Sequence, residues 1–144
     1  MDSFSKDFNM YISSNDNVDS NLSSNRLRVT VPTYVTLQPA GKRKWYVALT
    51  ELTLPTISEP LNYNGQIALD CSIADLSIIG GVSRPILRRF RLKRNTIFDN
   101  IQYIRATQSF PSHIDFVFSG DNYNTDISFA PGEIIYFTLN FKLK

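Results

Sequence analysis

Six cations crowd eleven residues: Arg84, Arg88, Arg89, Arg91, Lys93 and Arg94, with Pro85, Ile86, Leu87, Phe90 and Leu92 between them. In an extended chain Arg89, Arg91 and Lys93 share one face, and Phe90 with Leu92 the other. Such a strand has a basic outer face and an apolar inner one, so its chemistry is electrostatic. Lys42, Arg43 and Lys44 form a second cluster, which the preceding Gly41 places on a loop. Three roles compete for these cations: a charged edge that blocks stray strand pairing, a contact to an acidic neighbouring subunit, and a contact to phosphate. A net charge of +2 is small for binding driven by phosphate. No surface aromatic array of the kind that stacks single-stranded bases is recognisable.

Catalytic chemistry has little to work with. The single imidazole, His113, sits at a strand start between Ser112 and Ile114, and no nucleophile or orienting carboxylate has a motif around it. Cys71 shares its parity with Ile67, Leu69 and Ile73, which reads as a small buried hydrophobe. The run from Asp121 to Asp126 superficially suggests a calcium loop, but Tyr123 and Thr125 occupy ligand positions and the sixth-position glycine is missing. Neither GxGxxG, a P-loop nor His/Cys metal spacing occurs. The expectation is a protein that is not an enzyme and takes no cofactor or metal.

The elements that must carry the cations read as β-strands. Phe8, Met10 and Ile12 alternate with polar neighbours, as do Leu27, Val29 and Val31, with Val35 and Leu37 continuing that parity. Ile67 to Ile73 and Ile114 to Phe118 repeat the pattern, and Ile135, Phe137, Leu139, Phe141 and Leu143 give its longest form. Trp45, Val47 and Leu49 share one face, after which the parity switches to Leu52 and Leu54. One extra residue near Thr50-Glu51, a β-bulge, reunites the two sets. Strands around Ile86 to Lys93 and Ile101 to Thr107 bring the total to eight. Asn62 to Gly65 reads as a hairpin-type turn, and Gly80-Gly81, Phe110 to Ser112, Gly120 to Asn122 and Pro131-Gly132 as further breaks. Ser72 to Ile79 is expected to be a strand end or loop. Eight short strands predict an all-β sandwich or barrel, and a single jelly roll has that count.

The 144 residues predict a polar arm over 1–7 and one domain over 8–144, with the Ser/Asn-rich stretch Ser13 to Asn25 as a loop between the first two strands. One cysteine excludes a disulfide framework. The opening residues show no secretory pattern, and no run reaches the ~18 apolar residues of a membrane span. A soluble protein of a reducing compartment is expected, in which the sequon Asn21-Leu22-Ser23 is inert.

Particular segments resemble one family. Phe8 to Asn15, Asn21 to Asn25 and Leu27 to Val31 resemble the opening of penton-like minor capsid proteins of Polinton/Maverick and adintovirus-like elements and related double jelly-roll viruses. Trp45 to Leu52 followed by Leu54-Pro55 is similar to that family's Trp-bearing strand, with Leu54 replacing an aromatic residue. Asn100 to Ile104, the turn at Asp121, Ile127 to Phe129, Gly132 and Thr138 to Phe141 resemble its closing pattern. The resemblance implies a single jelly roll, a homopentamer capping icosahedral vertices, contacts to the major capsid protein, and no enzymatic activity. It places the protein in the virion, made in the host cytoplasm or nucleus. On that reading the Arg84–Arg94 strand or the Lys42–Lys44 loop is expected to meet an acidic neighbour, and Met1 to Asp7 to dock on internal capsid components. Two alternatives come from other classes. One is a carbohydrate- or receptor-binding β-sandwich using Tyr63 and Tyr123; the other is a nucleic-acid binder driven by the arginine segment.

Overall fold

In the computed structural model the described residues are 7–31, 44–106, 112–120 and 126–144, and they are all-β with antiparallel sheets. Thirteen strands occur among them. They are β1 (Asp7–Ser13), β2 (Arg26–Thr30), β3 (Trp45–Thr53), β4 (Ile57–Glu59), β5 (Gln66–Cys71), β6 (Ser77–Ile79) and β7 (Val82–Arg84). There follow β8 (Ile86–Arg91), β9 (Asn95–Ile97), β10 (Ile104–Arg105), β11 (His113–Ser119), β12 (Ser128–Phe129) and β13 (Tyr136–Leu143). One sheet runs β1-β13-β3-β10, with β9 also on β3, and the other β2-β11-β5-β8.

The pairing is nested. β1 pairs with β13, β2 with β11, β3 with β10 and β5 with β8, so the chain is laid out like one long hairpin. The contacts β13 with β3 and β11 with β5 then roll that hairpin into two layers.

Alternation decides which side chains meet between the layers. Phe137, Leu139 and Phe141 of β13 are buried, as are Ile114, Phe116 and Phe118 of β11. The rings of Phe116 and Phe137 meet edge to face at 4.9 Å, joining the sheets at their centre. Phe8 stacks on Phe141 at 4.8 Å and meets Trp45 at 5.6 Å, closing the side next to β1. Truncating a core ring such as Phe137 costs about 3–5 kcal/mol, since the cavity adds to the lost transfer energy.

The predicted bulge is present. Leu139 faces Leu49 while Thr138 faces Glu51, leaving Thr50 as the extra residue. Leu49 and Leu52 are both buried in consequence.

Four expectations change. Asn62 has φ 60°, yet the turn there does not close a hairpin, because β4 pairs with β12 and β5 with β11 and β8. The strand expected from Ile101 begins at Ile104, and β9, which no alternation marks, extends the sheet on β3. Ser77 to Arg84 forms a hairpin, β6 on β7, turned by Gly80 and Gly81 at φ 57° and 79°, the positive angles of a two-residue primed turn. Short β4 and β12 also lie beyond the eight strands read from the sequence.

The Ser/Asn-rich stretch is a loop, as expected, and it is tied down. Ser13 caps a single 3-10 turn over Ser14–Asp16. Buried Asn25 donates to the Phe118 carbonyl at 2.8 Å and accepts from Ser23 Oγ at 2.8 Å, pinning the loop's end to β11. Residues 1–6 of the arm expected over 1–7 lie outside the described residues, as do Val35 and Leu37, whereas Asp7 opens β1.

Candidate functional site

The basic segment divides into anchored and presented cations. Arg84, at the end of β7, is anchored: its Nε donates to Asp70 Oδ2 at 3.0 Å and its Nη2 to Asp70 Oδ1 at 2.9 Å. The same Nη2 donates to Ser119 Oγ at 2.9 Å. Side-chain exposures of 14% and 13% make Arg84–Asp70 a largely desolvated pair. A bidentate guanidinium–carboxylate geometry suits that setting, and the pair rivets the β6–β7 hairpin to β5 and β11.

Arg88 turns inward. It opposes Leu69, and its guanidinium lies 4.0 Å from the centre of the Phe98 ring while Nη1 donates to the Asn100 carbonyl at 2.7 Å. Burial lowers its pKa, yet guanidinium remains charged at any ordinary pH. An inward charge on an edge strand also discourages another chain from adding to the sheet.

Arg89, Arg91 and Lys93 are exposed, and Phe90 opposite them is buried, so the alternation read from the sequence places this face correctly. Arg94 reaches Glu133 at 3.5 Å. Lys42 and Arg43 lie outside the described residues, whereas Lys44 exchanges backbone hydrogen bonds with Lys144. The outward cations therefore line one sheet edge.

The residues weighed for catalysis are dispersed. His113 is exposed at the first position of β11, its Nδ1 3.1 Å from Ser112 Oγ. Cys71 is fully buried, and desolvation pushes its thiol up to about 12. A thiol held so far above the usual ~8.5 is a poor nucleophile at neutral pH. Among the described residues no group of three or more His, Cys, Asp or Glu is placed to hold a metal ion, and no helix is long and apolar enough to cross a membrane. Residues 121–125, including Tyr123, lie outside the described residues. Tyr63 is half-buried and its hydroxyl donates to the Gln66 carbonyl, so it is a packing residue.

A groove on the outer face of the first sheet escaped the sequence reading. Its floor is one register row across four strands, Tyr11–Thr138–Glu51–Ile97, beside a second, Ser13–Tyr136–Thr53–Asn95. The hollow measures about 380 Å³. Thr138 Oγ1 donates to Glu51 Oε1 at 2.9 Å, fixing the carboxylate at its centre. Toward the start of β3 Tyr103 lies against the same face, its hydroxyl donating to Asn140 Oδ1 at 2.7 Å. Only register brings Tyr11, Tyr136 and Ile97 together, which is why no local motif announces them.

No family model, curated protein or solved structure matches the chain.

Proposed function

We propose that this protein is a structural capsid subunit, a single jelly roll that forms homopentamers at the vertices of an icosahedral shell. The nested pairing carries the reading. Numbering the eight principal strands in chain order, one sheet is 1-8-3-6 and the other 2-7-4-5, which is the order a rolled-up hairpin of jelly-roll type produces. The resemblance of the Phe8–Val31 and Trp45–Pro55 segments to penton-like proteins supplies the vertex position.

Physical requirements agree. A shell subunit needs stiff walls, and one core shared by two sheets supplies them. Cyclic assembly joins one flank of each subunit to a different flank of the next, and oppositely charged flanks favour that contact over a twofold one. The exposed cations Arg89, Arg91 and Lys93 give one flank its sign. Major capsid subunits are the second partner this role requires.

Native mass spectrometry of the purified chain at low and at physiological salt tests the reading. A discrete species of five subunits is expected. A chain that stays monomeric under both conditions and binds sugars on a glycan array overturns it in favour of a carbohydrate-binding module.

A further inference from the structure

The β6–β7 hairpin stands out by what it exposes. Leu76, Ile78 and Val82 are 68%, 80% and 53% exposed, and Leu76 to Ser83 contains no charged residue. A two-stranded hairpin in water is marginal by itself, and this one is held at its root by the Arg84–Asp70–Ser119 cluster. Branched apolar side chains on a riveted projection are the composition of a contact surface.

The groove of Tyr11, Ile97 and Tyr136 is its counterpart. Ile97 is 77% exposed and Tyr11 71%. Hairpin and groove lie at opposite ends of the molecule. Asp75, at the hairpin's root, donates its N–H to the Arg105 carbonyl, and Arg105 pairs with Tyr46 at the start of β3. The groove spans Glu51 and Thr53 at the end of β3. The seven residue steps from Tyr46 to Thr53 along β3 separate the two by roughly 23 Å, so the hairpin of one chain does not fill its own groove.

Their surroundings differ in sign. Ile78 and Ile79 share a hollow with Arg88 and Arg89, and exposed Arg105 lies beside the root, where the acids are Asp75 and Asp70, the latter already paired with Arg84. The groove has Glu51 at its centre and no cation in its lining.

We propose that the β6–β7 hairpin of one copy seats in the β1–β13–β3–β9 groove of the next, with Ile78 as its apolar anchor and Arg89 directed toward Glu51. This rests on the ring reading above and names the surfaces that form the ring. The contact is heterologous: each copy offers one knob and one groove, and the series closes if the rotation permits.

Sedimentation velocity on the full chain tests it, with Ile78→Asp removing the knob and Ile97→Asp charging the groove. Both positions are exposed, so both variants are expected to match the wild-type thermal melt. Each is expected to weaken self-association at least about tenfold, the loss of a central apolar anchor. Mixing the two leaves one intact knob and one intact groove per pair, so the mixture is expected to stop at dimers. A wild-type oligomer that neither variant disturbs overturns this contact and leaves the ring standing. A wild-type chain that remains monomeric at every concentration overturns this contact, and if that monomer also binds a glycan and loses it on Tyr136→Ala, the ring reading falls with it.

Discussion

The Arg84–Asp70 pair shows how a residue counted among surface cations becomes part of the frame. Removing one partner from a desolvated ion pair leaves an uncompensated charge, which is far worse than never having had the pair. Asp70→Asn is therefore expected to lower stability by about 3 kcal/mol, read as a shift in the urea midpoint. The double variant Asp70→Leu with Arg84→Met should recover most of the loss. A single-variant effect no larger than that of an exposed pair, up to about 1 kcal/mol, would mean that water reaches the guanidinium. The sequence displays Arg84 as one cation among six, and nothing local marks the difference. Its partner stands fourteen residues upstream and the supporting Ser119 thirty-five downstream, joined to it only once β5 and β11 lie side by side.

Among the elements, β3 is the most demanding, because it serves two apolar sets of opposite parity. Thr50 is the residue that reconciles them, and its hydroxyl donates to the Thr138 carbonyl at 3.2 Å. Deleting Thr50 leaves Leu49 and Leu52 on the core side of a regular ladder, so the chain should still unfold in one cooperative transition, at a cost of about 1 kcal/mol for the lost hydrogen bond. Deleting Ala48 instead turns Val47 and Trp45 toward water and is expected to abolish the transition. Thermal melts of the two deletions followed by circular dichroism distinguish them; similar melts would show that the bulge can migrate.

Side-chain parity also decides which strands are legible in the sequence. β1, β2, β5, β11 and β13 each bury one face, and a period of two therefore shows in their residues. β9, with Asn95 and Ile97 exposed, buries too little to leave a pattern, and the Gly-Gly turn of β6–β7 was recognised without the strands that flank it. Outward Arg89, Arg91 and Lys93 follow from alternation with Phe90. The groove does not, since it needs the register of four strands drawn from four parts of the chain.

At the scale of the whole molecule, nesting sets the order of events. β13 lies between β1 and β3, so the first sheet has no continuous ladder from β1 to β3 without it. Phe8 and Phe141, the stacked pair that joins β1 to β13, are drawn from regions more than a hundred residues apart. Topologies dominated by such distant pairings fold slowly. On a translating ribosome the consequence is a waiting period: β1 and β3 are already outside while their common neighbour is still unmade. A ribosome-bound chain ending at Gly132 is expected to be cut within β1 and β3 under brief protease exposure, and one ending at Lys144 to resist, each carried clear of the tunnel by the same appended linker. Equal resistance would mean that the second sheet alone protects the nascent chain. A fold whose first sheet closes only with β13 presents no finished surface half-made, so on the ring reading proposed above assembly would draw only on chains made through β13.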